Sequence, residues 1–242
     1  MHRAPRRVHW VVLGLAGSAT SIAAEPGTLP MAAAKTLVVR HAVPPRFPLS
    51  LRGTEHSAGY ATVALTIDDR GHVDDVVALE ASHPAFGSAV EASLLQWVFK
   101  PAMTGTRPTR DVRQFEFRST GVVDALTHAQ AMERAFASAP LRPLLRTVSW
   151  NELAAPPAAL VTTAPKLSAT ALERLGGSPV IVSFIIDTRG VVHVPVVDAS
   201  VDEAIAATVV EAVRSWRFEP PVFEGQPVVV QAHRAFGGPQ IH

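Results

Sequence analysis

The sequence contains no cysteine. That excludes a disulfide framework, a thiol nucleophile and any thiolate metal site. There is no long apolar run either: the one candidate, Val8 to about Ala19, falls short of the ~20 residues a membrane-spanning helix needs. No nucleophile turn surrounds any serine, and no glycine loop has the spacing that cradles phosphate. The chain carries 20 prolines, but they are scattered, so no stiff spacer is present. Net charge is only +1. The first 24 residues hold Arg3, Arg6 and Arg7 and no acid, so the remainder carries 1 − 3 = −2 and offers no basic footprint to nucleic acid. These absences point away from an enzyme and from any cofactor.

What is present is an ordinary globular composition, 48% hydrophobic and 18% charged, over 242 residues. That length accommodates two domains of roughly 100 residues. The N-terminus has the three parts of an export signal: a basic stretch to Arg7, the short apolar stretch, then small residues at Ser21, Ala23 and Ala24. Cleavage is expected after Ala23 or Ala24, leaving a periplasmic protein; an uncleaved leader would instead anchor it in the inner membrane.

The strongest signal is internal. Ile67-Asp68-Asp69-Arg70-Gly71 returns as Ile186-Asp187-Thr188-Arg189-Gly190, a displacement of 186 − 67 = 119 residues. The same displacement carries Trp97 onto Trp216, Phe99 onto Phe218, Pro101 onto Pro220, Pro108 onto Pro227 and Phe117 onto Phe236. One offset across separate motifs marks a duplication.

Each copy reads as strand, turn, strand, helix, strand. Val63, Leu65 and Ile67, like Val182, Phe184 and Ile186, alternate with other residues at the period of a half-buried strand. The Asp-x-x-Gly segments carry turn chemistry. Val73 to Leu79 and Val191 to Val197 return antiparallel, and Pro195 marks the second of these as an edge strand. Phe86, Val90, Leu94 and Trp97, and equally Ile205, Val209, Val213 and Trp216, form one helical stripe each. The first helix opens on Pro84 and the second on a capping box from Ser200 to Glu203. The last strands span Asp111 to Arg118 and Val228 to Phe236. Antiparallel pairing throughout gives the order 2-1-3, with the second and third strands at the edges.

The fold class is therefore α+β: two modules, each a three-stranded antiparallel sheet packed on a helix. The expected organisation is a leader over 1–24, an extension over 25–44, module one over 45–120, a connector over 121–163 and module two over 164–242. An additional extended segment is expected from Thr36 to Val43. The connector reads as an amphipathic helix over Val122 to Ala137, then a proline-containing stretch.

The combination resembles the C-terminal domain of TonB. The features that carry it are an aromatic-Pro pair (Phe47-Pro48), the Asp-x-x-Gly hairpin and the post-helix motif Trp216-Arg217-Phe218-Glu219-Pro220. The first copy has Trp97, Phe99 and Pro101 but Val98 for the arginine; the second replaces the aromatic-Pro pair with Leu167-Ser168. The resemblance implies that the third strand of each module captures an extended segment of an outer-membrane receptor or other envelope protein. The corresponding residues are Val112, Gln114, Glu116, Val228, Val230 and Gln231. An exposed edge suits that task because its backbone groups are unpaired. Alternatives are an architectural pseudo-dimer with no free edge, or a membrane-anchored energy transducer. No metal site is expected: the histidines, His72 and His193 included, read as incidental, and Asp68-Asp69 and Asp74-Asp75 as turn chemistry and the polar face of an edge strand.

Overall fold

In the computed structural model, residues 37–100, 109–118, 123–127, 143–198 and 200–237 are described. The leader, Pro101, Pro108 and most of the helix expected over 122–137 lie outside them. Module one contains β1 (Val39–His41), β2 (Ala58–Ile67), β3 (Val73–Ala81), α1 (Pro84–Leu94), β4 (Val98–Phe99), β5 (Thr109–Arg118) and β6 (Val123–Thr127). The connector supplies β7 (Thr147–Ser149) and β8 (Ala159–Val161). Module two follows with α2 (Ala169–Leu175), β9 (Val180–Ile186), β10 (Val192–Val197), α3 (Glu203–Arg214), β11 (Arg217–Phe218), β12 (Val222–Phe223), β13 (Gln226–Pro227) and β14 (Val229–Phe236).

The duplication extends to individual hydrogen bonds. In each hairpin one Asp oxygen accepts two backbone amides: Asp68 from Arg70 and His72, Asp187 from Arg189 and Val191. The hairpin glycines, Gly71 and Gly190, hold φ of 92° and 82°, a region that costs glycine little. Their carbonyls accept from Phe99 N and Phe218 N, which docks the post-helix strand on the turn. Trp97 and Trp216 are only 5% and 4% exposed, and both indole N–H groups donate to a backbone carbonyl of the preceding extended segment, Val43 and Thr163, at 2.8 Å. That segment pairs with the post-helix strand in both copies, β1 with β4 and β8 with β11. The repeat thus begins earlier than its sequence motifs, and the extended segment expected before the first copy is β1.

The helical stripes are buried as expected, Phe86, Val90 and Leu94 at 0% exposure and Ile205, Val209 and Val213 at 3% or less. The second cap differs from expectation. Asp202, not Ser200, accepts from Ala204 N and Ile205 N, and its charge also complements the positive end of the helix. His83 occupies the same place in module one, accepting from Ala85 N.

The order 2-1-3 recurs as β3-β2-β5 and β10-β9-β14, and each sheet gains a fourth strand beside its third: β6 beside β5, β7 beside β14. Over Arg113–Phe117 and Val229–Gln231 the third strands are therefore interior, not edges. The start of the anticipated connector helix is β6, which pairs antiparallel with Arg113–Phe117. β7 pairs in parallel with Val229–Gln231.

With α1 and α3 covering one face of each sheet, the other faces pack on each other. Ala64, Val77, Ile185, Val194 and Val229, all 3% exposed or less, form that apolar layer. The chain is thus four layers deep, helix, sheet, sheet, helix, and the two modules form one body. Among the described residues no helix is long and apolar enough to cross a membrane.

Candidate functional site

Five of the six residues expected to receive a partner fall on the third strands, Val228 lying just before β14, and those strands are paired on both sides over Arg113–Phe117 and Val229–Gln231. Gln114 lies between Thr62 and Leu126 in register, and Glu116 between Tyr60 and Asp124. Val112 is partly buried against the layer between the modules. In module two, Val228 and Val230 are fully buried in the core under α3, and the Val228 N–H donates to the Pro221 carbonyl at 3.1 Å. Gln231 stands between Ile185 and Ser149.

The strand that closes β14 is firmly held. Val148 is buried in the second core. The Thr147 hydroxyl donates to Leu79 O at 2.6 Å, and Leu145 exchanges backbone hydrogen bonds with Ala81. The same few connector residues therefore close an edge of module two while bonding to β3 of module one. Of the four outermost strands of these sheets, β3, β6, β7 and β10, β3 and β10 are guarded by local devices. On β3, Ala78 N donates to the Glu91 carboxylate at 2.7 Å. β10 is outermost in its sheet and carries Pro195, as anticipated for an edge. It also has a register shift between His193 and Val196, and Val194 sits at φ 44°.

The family-motif residues hold structure. Arg217 Nη1 donates to the carbonyls of Arg214 and Trp216, which satisfies groups left open at the end of α3. Phe47 packs edge-on against Phe86, ring centres 5.6 Å apart.

A charged cluster between the modules was not anticipated. Asp75 of β3 accepts from Val194 N at 2.6 Å and contacts His193 Nδ1 at 2.8 Å. His193 Nε2 lies 3.6 Å from Asp187, an ion contact rather than a hydrogen bond. Asp74 pairs with Arg214 at 2.5 Å. On β5, Arg110 is largely buried, and its Nε and Nη2 have no hydrogen-bond partner among the described residues. Burial pulls its pKa down to about 10, opposed by the charge of Asp75, so it stays cationic at neutral pH. His193 is thus not incidental, and Asp74-Asp75 is an anchor to the other module, not a solvated face. The available sequence signal was the Asp75/His193 pairing of opposite charge potential in equivalent strands, which no local pattern connects. Among the described residues no three His, Cys, Asp or Glu side chains are grouped to hold a metal ion.

Burial alone would lower the His193 pKa, but Asp187 and Asp75 outweigh it and raise the value to about 9. For Asp187, burial opposes ionisation, yet His193 and the amides and guanidinium of the hairpin hold it well below the carboxylate range. A histidine whose folded pKa lies above its ordinary 6.5 stabilises the fold fully below that value and loses the contribution as pH rises toward 9. Stability is therefore expected to fall by on the order of 3 kcal/mol across that window. Urea midpoints at pH 6, 7.5 and 9 should show the fall in the wild type and a flattened profile in His193→Gln; parallel profiles would refute the linkage.

No curated protein and no solved structure matches the chain. The family described as Gram-negative bacterial TonB protein C-terminal matches residues 44–118 and again 164–236. These are the two modules that the offset of motifs, the paired hairpins and the paired tryptophan contacts delimit. Domains of this family belong to the Gram-negative envelope and interact with other proteins, outer-membrane receptors among them. The matches cover more than half of the chain, which therefore belongs to the TonB C-terminal family and carries its domain twice.

Proposed function

We propose that this chain is an exported, periplasmic protein-binding unit in which two TonB-type modules act as one rigid body. One observation carries the reading: both third strands already hold a fourth strand from the same chain. An incoming peptide would have to displace β6 or β7 to pair with Gln114, Glu116, Val230 or Gln231. The architectural pseudo-dimer is thus favoured over two independent strand-capture domains, and its modules join through sheet faces and the connector, not through their third strands. Binding surfaces then belong to the combined body.

Val77→Asp places a carboxylate in the apolar layer between the sheets, where burying an unpaired charge is strongly unfavourable. The variant should show a larger radius of gyration by small-angle scattering and a reduced yield of formaldehyde cross-links to envelope proteins. An opened variant that still cross-links the same partner at full yield would mean that the modules bind separately. Ala125→Pro, which disrupts β6, should leave the yield unchanged. A higher yield would instead identify displacement of β6 as the entry to strand capture at β5.

A further inference from the structure

The two copies differ most where the N-terminal segment of each module meets the start of its long helix. In module one that place is filled with rings. Phe47 meets Phe86 edge-on at 5.6 Å, Phe86 stacks on Phe117 at 4.7 Å, and the helix cap His83 lies 6.5 Å from Phe86 and 4.9 Å from His56. The repeat offset maps Phe86 onto Ile205 and His83 onto Asp202. Phe47 maps onto Leu167 with a slip of one residue, matching the slip between the tryptophan acceptors Val43 and Thr163. Phe117 maps onto Phe236, which leans on Trp216 at 5.8 Å in module two. The second copy thus keeps the ring of Phe117 as Phe236 but has the smaller Leu167 and Ile205 where module one has Phe47 and Phe86.

A cavity of about 270 Å³ lies at that place in module two, with Leu167, Ala171 and Ile205 among its walls and Lys166, Arg174 and Asp202 around it. Its volume is below the roughly 300–1,000 Å³ of ligand pockets, suited to one large side chain rather than a cofactor. The Arg174–Asp202 ion pair, 3.2 Å long and exposed on both sides, flanks the opening and leaves the apolar floor accessible.

We propose that this cavity receives an aromatic side chain from a polypeptide partner, which then packs beside Leu167 and over Ile205 as Phe47 packs on Phe86 in module one. The proposal rests on the protein-binding reading above and gives it a location on the combined body. The occupant is chosen by the chain's own example. The equivalent frame in module one is closed by a phenylalanine that stands immediately before a proline in an extended backbone (Pro48 at φ −61°, ψ 126°), and it makes the edge-to-face contacts aromatic rings favour. With the smaller Leu167 packed where that ring would stand, the second copy leaves the cavity beside it, between α2 and α3 and lined by Leu167, Ala171 and Ile205.

The test uses the purified full-length protein, labelled with nitrogen-15, and two defined probes, N-acetyl-Phe-Pro-amide and N-acetyl-Ala-Pro-amide. The phenylalanine peptide should shift the amides of Ala171, Ala204 and Ile205 saturably and bind about tenfold or more tightly than the alanine peptide, the difference a buried ring makes. Leu167→Phe, which restores the missing ring, should remove this binding without lowering the melting temperature. Ala204→Leu, at an exposed position on the rim, should obstruct entry even if the first variant folds poorly. Equal shifts from both peptides, or phenylalanine binding that survives both substitutions, would overturn the proposal. Because the titration needs no envelope partner, it fails or succeeds independently of the cross-linking experiment.

Discussion

Replacing Asp75 by alanine is expected to cost about 3 kcal/mol and to split a single unfolding transition into two. The carboxylate has two jobs that no neighbour can take over. One oxygen lies 2.8 Å from His193 Nδ1 and the other accepts the Val194 amide at 2.6 Å. Asp75 and His193 are 20% and 18% exposed. Their pair therefore sits closer to the buried regime, where removing one partner costs about 3–5 kcal/mol, than to the surface regime of about 0–1 kcal/mol. Without Asp75, His193 keeps only Asp187, Arg110 loses the charge that opposes its desolvation, and an amide is left unsatisfied. That amide belongs to a β-branched residue at φ 44°, a conformation that costs on the order of 1–3 kcal/mol and persists only when its surroundings enforce it. Val194 is also at the centre of the apolar layer between the modules, so relaxing it loosens the contact that couples them. Each core contains a buried tryptophan, Trp97 in one and Trp216 in the other. Urea unfolding followed by their fluorescence should be one transition in the wild type and broadened or biphasic in Asp75→Ala. Asp74→Ala is the control. Its pair with Arg214 is 34% and 37% exposed, and its loss should cost about 1 kcal/mol or less. Equal effects of the two substitutions would show that Asp75 has no special place in the interface.

The parts of this structure legible in the sequence are those specified within a few residues of chain. The hairpins follow from Asp-x-x-Gly, the long helices from a stripe at i, i+4, i+8 and i+11, and the duplication from a constant offset. The parts that were not legible depend on contacts between distant segments. Val123, Leu126, Ala129 and Met132 recur at helical spacing, yet Val123–Thr127 is a strand. Five residues fit either period, and the unpaired edge of β5 decides between them. β7 is three residues of a connector with no periodicity of its own, and its parallel pairing is fixed by Leu145 and Thr147 reaching across to β3. One signal for the layer between the sheets was available. Val228-Val229-Val230 is apolar on consecutive positions, as are Val76-Val77-Ala78 and Ile185-Ile186. Strands apolar on both faces are buried on both faces. The same signal bears on the residues expected to bind a partner. Val228 and Val230 point into a core, which their apolar character foretold better than the position of their strand did.

Gly190→Ala should be among the most damaging single substitutions in the chain, with an expected loss of at least about 3 kcal/mol. Two separate penalties combine there. The backbone holds φ 82°, which costs a residue with a Cβ roughly 1–2 kcal/mol. The Cβ would also lie 1.9 Å from the carbonyl oxygen of Phe218 and 2.8 Å from its carbonyl carbon, backbone atoms that have no rotamer to move into. Relief requires β11 to withdraw, which breaks the 2.9 Å bond from Phe218 N to Gly190 O and lifts Phe218 and the adjoining Trp216 from their packing on Phe184. Gly225 separates the two penalties. It has nearly the same φ, 74°, but a Cβ added there would meet nothing within 4 Å, so Gly225→Ala should lose only roughly 1–2 kcal/mol, the backbone share alone. Thermal melts of the two variants should differ by the clash energy. Similar losses at both positions would mean that β11 yields freely. The turn-to-strand contact, present in both halves of the duplication as Phe99 on Gly71 and Phe218 on Gly190, would then contribute little to holding the module together.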